Sequence, residues 1–172
     1  LEKTITVNGV AKAFAMTGWR LGYMGASLAI AKACDKMQGQ FTSATCSIAQ
    51  RAAIAALDSP LTATMSMKAA FQKRRDLVYE LIKEIPGFIT NKPAGAFYFF
   101  PDVTYYFGKK HAGGTINNAE DLCMYLLTEA NVAVVSGDSF GSPNNIRFSY
   151  ATTEENLRIA MQRIKVELAK LV

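Results

Sequence analysis

A lysine and an arginine in one glycine-punctuated stretch have the residue types for covalent and anion-binding chemistry. Lys12 and Arg20 stand eight residues apart in NGVAKAFAMTGWRLGY, residues 8–23. Lys12 follows the alternating run TITV and an Asn-Gly turn signal, which predicts a side chain held at the end of a strand and facing open space. A lysine amine in such a place can form an imine with the aldehyde of a cofactor. The alternative is an ordinary surface lysine after a strand.

Arg20 follows Gly18, whose missing side chain lets a ligand approach the backbone closely. The planar fork of an arginine can grip a carboxylate or a phosphate with two hydrogen bonds. The alternative is a surface ion pair, which contributes about 0 to 1 kcal/mol. The spacing from Lys12 favours a carboxylate or phosphate bound beside the lysine over a surface ion pair.

A second arginine, Arg147, lies in the strand-like segment NIRFSYA, residues 145–151. Period-two alternation places Arg147 on the opposite face from Ile146, Phe148 and Tyr150. A charge set on a strand between two large apolar residues needs a partner. Arg147 is therefore a candidate ligand-binding residue in its own right.

The elements that must position these residues alternate between strands and helices. Ser59-Pro60 predicts the start of a long helix that ends before Pro86-Gly87, and Asn118 and the Thr152-x-x-Glu155 capping box predict two further helix starts. The long helix would join two domains, with the boundary within 61–73. Strands are predicted at 4–7, 20–26, 87–90, 96–100, 132–135 and 145–151, and helices at 28–37, interrupted near Gly39, at 45–57, at 60–85, and after Asn118 and Thr152.

Composition predicts a globular, soluble chain, because half of its 172 residues are hydrophobic and no apolar run reaches the roughly 18 to 20 residues of a membrane span. Cys34, Cys46 and Cys123 fit no zinc or CxxC spacing and are interpreted as buried free thiols in a reducing cytosol, so we expect a cytoplasmic protein with no metal site. The chain begins at Leu1 without methionine, and we expect it to be a fragment.

A net charge of +5 raises the possibility of a nucleic-acid partner. The only basic cluster is Lys73-Arg74-Arg75, which we interpret as a solvated helix face, so neither a nucleic-acid nor a membrane partner is expected. The single histidine, His111, lies in a predicted loop without a nearby acid or nucleophile. We expect it to face solvent without a catalytic role.

The stretch from Asn8 to Tyr23, with MTGWR after the lysine, resembles the cofactor-lysine motif of fold type I aminotransferases that depend on pyridoxal 5'-phosphate, in their aspartate-aminotransferase-like branch. The resemblance implies that Lys12 holds the cofactor covalently and that Arg20 holds its phosphate. Ala11 stands where serine is common in this family, which removes a hydroxyl near the cofactor without touching the chemistry.

Two further segments resemble the same family in the same order along the chain. VAVVSGDSFG and IRFSYATTEENL are similar to its C-terminal signature, which implies that Arg147 grips the α-carboxylate of the substrate. PAGAFYFFPDV, residues 93–103, is also similar to the family, which implies that Phe97 lines the substrate side of the pocket. The implied fold class is α/β: residues 1–66 are the last strands and helices of the large cofactor-binding domain, and residues 67–172 are a complete small α+β domain.

The resemblance also implies what this chain lacks. In the family, the residues that contact the cofactor ring precede the lysine, so we expect this C-terminal portion to be inactive alone. The full-length enzyme would be a homodimer, with a partner contact near Gln40-Phe41-Thr42. Its substrates would be an amino acid, aspartate or glutamate first, and a 2-oxo acid, while the loop 107–116 and DLCMYLL leave prephenate open. The alternative is a non-catalytic dimerisation or macromolecule-binding module.

Overall fold

The computed structural model describes residues 3–172. The chain divides into two compact units, Leu1–Met67 and Lys68–Val172. A single helix, α3, is continuous through the division. The α-helices are α1 (Leu28–Phe41), α2 (Ser47–Asp58), α3 (Thr62–Lys83), α4 (Ala119–Thr128) and α5 (Glu154–Leu168).

The first unit carries an antiparallel strand pair and two helices. Strand β1 (Thr6–Gly9) pairs with β2 (Gly22–Gly25), and Gly9 lies opposite Gly22 at the end of the ladder. A side chain on Gly9 would come within 3.3 Å of the Leu21 carbonyl oxygen, so glycine permits this close pairing. The small core of the unit contains buried Val10, Met16 and Ala53, with Ala53 contributed by α2.

The second unit is built around a three-stranded antiparallel sheet. Its strand order is β3-β7-β6, with β3 at Tyr98–Phe99, β6 at Val135–Ser136 and β7 at Ile146–Ser149. A separate hairpin joins β4 (Lys110–His111) to β5 (Gly114–Thr115). The core contains Val78 and Ile82 from α3, Leu122 and Leu126 from α4, Phe99, Ile146 and Phe148 from the sheet, and Leu157, Met161, Ile164 and Leu168 from α5.

Several predicted element boundaries are wrong for identifiable reasons. The first strand continues through Asn8 and Gly9 rather than turning there, because both residues pair with β2. Helix α1 continues through Gly39 to Phe41. Ser59 does not cap α3: its hydroxyl donates to the Ala56 carbonyl at 2.9 Å and closes α2, and α3 begins later, with the Met65 amide bonded to the Leu61 carbonyl.

Some predicted element boundaries in the second unit also differ from those in the structure. The predicted strand 87–90 is reduced to one bridge, between Ile89 and Asp102. The predicted strand 132–135 pairs only from Val135, because the Val132 amide bonds to the Leu126 carbonyl at the end of α4. Thr153, not Thr152, caps α5, since its hydroxyl accepts from the Asn156 amide. Asn118 caps α4 as predicted, with its side-chain oxygen accepting from the Asp121 amide.

Two further predictions need correction. Of the three free cysteines only Cys123 is buried, in the α4 core face, whereas Cys34 and Cys46 are exposed. His111 does not face solvent fully, because its half-buried ring lies 4.8 Å from the Tyr125 ring and its Nδ1 accepts from the Gly113 amide. Within residues 3–172, no helix is long and apolar enough to cross a bilayer.

Candidate active site

Lys12 lies in the connection between β1 and β2, in a turn that buried residues hold on both sides. Val10, just before it, is fully buried, and Met16, just after it, is 8% exposed. The Ala15 amide donates to the Lys12 carbonyl at 3.1 Å, which closes the turn. The Thr64 hydroxyl of α3 donates to the Ala13 carbonyl at 3.1 Å. The backbone of Lys12 is therefore anchored while its side chain is exposed, as the sequence predicts.

Arg20 ends the same connection. It follows a short 3₁₀ helix, Thr17–Trp19, and adopts the left-handed backbone conformation, with φ 53° and ψ 49°. A non-glycine residue in this conformation costs about 1 to 2 kcal/mol, so the surrounding structure must impose it. One guanidinium nitrogen, Nη1, donates to the Thr17 carbonyl at 3.0 Å, which fixes the direction of an otherwise exposed side chain.

The β1–β2 register relates these two residues. Gly9 and Gly22 are opposite each other, so Lys12 and Arg20 both lie on the connection that leaves and re-enters the ladder at one end. The structure therefore places the predicted lysine and arginine on one connection of the first unit. Both side chains are exposed there, and neither contributes to the core.

An open depression of about 740 Å³ lies beside Arg20 in the first unit. It combines the guanidinium with the glycine at position 18, which presents bare backbone, and with the apolar face of Trp19. Such a donor set fits a phosphate held by a charged fork against accessible backbone. Its lining residues are Ala15, Gly18, Trp19, Arg20, Gln38, Thr42, Ala44, Thr45, Cys46, Ile48 and Ala49.

Arg147 lies in the middle of β7, the central strand of the second unit's sheet. The neighbouring side chains Ile146 and Phe148 are buried in the core, while Arg147 is half-buried on the other face, as alternation predicts. Its guanidinium carbon lies 4.4 Å from the centre of the Tyr98 ring and 4.2 Å from the centre of the Phe140 ring. The charge of Arg147 is therefore partnered by two aromatic rings, those of Tyr98 and Phe140.

Phe97 precedes β3 and is half-buried. Its ring centre lies 4.5 Å from that of Tyr98 and 6.0 Å from that of Phe71 on α3. Its carbonyl accepts from the amide of Tyr150, the residue that follows β7, at 2.9 Å. Phe97 and Arg147 therefore belong to one aromatic cluster, in which Tyr98 touches both.

Charged residues of α3 support the turn that leads to Phe97. Arg75 forms an ion pair with Asp76 at 2.8 Å and donates to the Pro93 carbonyl at 3.3 Å, and Lys92 pairs with the same carboxylate at 2.8 Å. The hydrogen bond from Lys92, followed by that from Arg75, lowers the pKa of Asp76. Lys73 pairs with Glu154 of α5. Lys73 and Arg75 of the basic cluster thus form ion pairs within the second unit.

Tyr98 and Phe140 were not predicted as site residues. Alternation along PAGAFYFF could have placed Tyr98 on the Arg147 face, because its neighbour Phe99 pairs with Phe148 in the core. Phe140 ends a 3₁₀ helix in a turn that has no periodicity, so the sequence offers no comparable signal for it.

The sequence matches known proteins over nearly its whole length. The family profile described as "Aminotransferase class I and II" matches residues 1–164. The bifunctional aspartate aminotransferase and glutamate/aspartate-prephenate aminotransferase of Petunia hybrida is 47% identical over 176 residues, which cover 99% of this chain and 36% of that protein. The aspartate/prephenate aminotransferase of Cereibacter sphaeroides is 45% identical, over 99% of this chain and 43% of that protein.

The crystal structure of the aspartate aminotransferase from Rhizobium meliloti superposes with a TM-score of 0.95 at 42% identity, over 99% of this chain and 43% of that one. The predicted α/β class is therefore confirmed. The chain spans about two fifths of the length of the relatives it matches, and it corresponds to their C-terminal part.

Proposed function

The chain belongs to the class I and II aminotransferases, and we propose that it supplies the covalent lysine, the phosphate-binding arginine and the α-carboxylate-binding arginine of a transaminase that depends on pyridoxal 5'-phosphate. The observation that carries this proposal is the position of Lys12 and Arg20 on one connection, whose ends meet at the Gly9–Gly22 pair. The amine and the guanidinium suit the two ends of that cofactor, an aldehyde and a phosphate.

Each residue has a distinct task in the proposed reaction. Lys12 would hold the cofactor covalently through Nζ, and the same nitrogen, once released, would move a proton at the α-carbon of the substrate. Arg20 would bind the phosphate. When bound, the cofactor supplies an electron sink that stabilises negative charge at the α-carbon. Arg147 would orient the substrate by its α-carboxylate, and Phe97 would line the substrate side.

We propose that the substrates are aspartate and a 2-oxo acid, with prephenate as a further possibility. The names of the Petunia and Cereibacter relatives support this proposal, since both include aspartate and prephenate. We further propose that residues 1–66 belong to the large domain and 67–172 form the small domain. The enzyme would be a cytoplasmic homodimer.

The test compares the full-length enzyme that carries this sequence with its Lys12→Ala variant, using aspartate and 2-oxoglutarate. Wild-type enzyme should transaminate, and the variant should lose activity by several orders of magnitude. The two apoenzymes should unfold at similar temperatures, because the exposed lysine side chain contributes little to packing. Activity of Lys12→Ala close to wild type would exclude the proposed role. The 172-residue chain alone should have no appreciable activity, and efficient turnover by it would contradict that expectation.

A further inference from the structure

The guanidinium of Arg147 contacts two aromatic rings that come from different parts of the second unit. Tyr98 belongs to β3, next to β7, and Phe140 belongs to the 3₁₀ helix Gly137–Phe140 after β6. The distances of 4.4 Å and 4.2 Å from the guanidinium carbon to the two ring centres are within the range of cation–π contact. We call this pair of rings, Tyr98 and Phe140, the aromatic clamp.

The Tyr98 side of the clamp is fixed by the sheet. Tyr98 pairs with Ser149 on β7, and Arg147 is the diagonal neighbour on the same face, within reach of a large aromatic side chain. The ring of Phe97 packs on the Tyr98 ring with centres 4.5 Å apart. The sheet therefore fixes the Tyr98 backbone beside Arg147, and the Phe97 ring packs against the Tyr98 side chain.

The Phe140 side is fixed by a turn with little freedom. A side chain at Gly137 would lie 2.1 Å from the Ser142 carbonyl oxygen, so only glycine fits there. The Gly137 amide donates to the Asn145 carbonyl at 2.7 Å, and the Ser142 amide donates to the Gly137 carbonyl at 3.0 Å. The Phe140 ring meets the edge of Phe100, with centres 6.1 Å apart. Phe140 is 48% exposed and still held in place.

A cation–π contact uses none of the N–H donors of the guanidinium, which can therefore bind a carboxylate with two parallel hydrogen bonds. Among residues 3–172, Arg147 forms no ion pair with a carboxylate. We propose that Tyr98 and Phe140 are positioning residues that hold the plane of Arg147 in the orientation needed to receive the substrate α-carboxylate. This inference rests on the proposed function and adds the residues that orient its substrate-binding arginine.

The experiment measures KM and kcat for aspartate in the full-length holoenzyme with Tyr98→Leu and Phe140→Leu. Each change removes one ring of the clamp. We expect KM to rise about tenfold with a much smaller change in kcat, because the loss weakens the binding of substrate and transition state equally. Tyr98→Phe and Phe140→Tyr keep an aromatic ring at each position, so their KM values should stay within about twofold of the wild-type value. Tyr105→Leu is the matched control, because Tyr105 stacks on a different cation, Lys109.

A second background separates positioning from general stability. In an Arg147→Lys enzyme, which keeps the charge and lacks the flat guanidinium, Phe140→Leu should raise KM by no more than about twofold further, because the two changes act through one residue. An equal rise in both backgrounds, or no rise in either, would overturn the proposal. If Arg147→Lys itself leaves KM unchanged, the assignment of Arg147 to the α-carboxylate fails first, and the clamp fails with it.

Discussion

The Thr17 hydroxyl donates a hydrogen bond of 3.0 Å to the Ala11 carbonyl, which ties the 3₁₀ helix before Arg20 to the residue before Lys12. This bond joins the two sides of the connection between β1 and β2. It therefore holds the backbones of Lys12 and Arg20 in a fixed position relative to each other. The arrangement of the two proposed cofactor-binding residues therefore depends on Thr17, whose hydroxyl closes the connection and whose carbonyl accepts from the Arg20 guanidinium.

Replacing Thr17 by valine keeps the shape of the side chain and removes the donor. The bond contributes about 0.5 to 1.5 kcal/mol to the stability of the folded connection, so we expect the variant to bind pyridoxal phosphate more weakly, by at most roughly tenfold. Equilibrium dialysis of the full-length apoenzyme measures the affinity. Thr128→Val is the matched control, because its hydroxyl also donates to a backbone carbonyl, that of Met124 in α4. Equal effects of the two changes would contradict a specific role of Thr17.

Arg20→Gln tests the phosphate assignment. Loss of hydrogen bonds between a guanidinium and a phosphate should weaken the binding of pyridoxal phosphate by about 10- to 100-fold, whereas pyridoxal, which has no phosphate, should bind equally to both proteins. Arg51→Gln, on exposed α2 surface, makes the same change in net charge away from the depression. An equal loss for pyridoxal and its phosphate would show that Arg20 contacts another part of the cofactor or acts only structurally.

Stability in acid should depend on Asp76. Lys92 and then Arg75 hold its pKa below the ordinary value of 3.8, so its carboxylate stabilises the fold above that value, and the stabilisation is lost as pH falls through the lowered pKa. Thermal unfolding of Asp76→Asn should therefore depend less steeply on pH than wild type below about pH 4. If the unfolding temperatures of the two proteins depended on pH in the same way below about pH 4, this carboxylate would not be paired. Asp58→Asn, at the exposed end of α2, serves as the control.

Stability in alkali should depend on Tyr106 and Cys123. Burial raises the pKa of Tyr106 from 10.0 to about 12 and that of Cys123 from 9.0 to about 12. The unfolded chain releases these protons first, so the free energy of unfolding should fall from about pH 9 to pH 12. Tyr106→Phe should reduce the slope above about pH 10, though it also loses the hydrogen bond to the Pro86 carbonyl. An unchanged slope would show that Tyr106 ionises normally in the folded protein.

The sequence was most informative where a short-range rule determines the outcome. Alternation along NIRFSYA placed Arg147 away from the core because successive strand side chains point to opposite faces. The α4 cap at Asn118 followed from the unsatisfied amides of a helix start. Lys12 was expected to be exposed after a strand, and it is, although the strand continues through the glycine that was expected to turn.

The sequence was least informative where two short-range options compete or where the contact is distant in sequence. Ser59 could cap the next helix or close the preceding one. In the structure its hydroxyl donates to the Ala56 carbonyl and closes the preceding helix. The clamp depends on Phe140 reaching Arg147 from a turn whose shape is set by backbone contacts at Gly137. No periodicity marks such a residue, because its position depends on the fold of the whole second unit.

Attachment of the cofactor to Lys12 can be measured directly. The full-length enzyme is loaded with pyridoxal phosphate, reduced with borohydride, digested and analysed by peptide mass spectrometry. We expect the reduced cofactor on the peptide that carries Lys12 and nowhere else in stoichiometric amount. Recovery of the label on another lysine, with an unmodified Lys12 peptide, would contradict it.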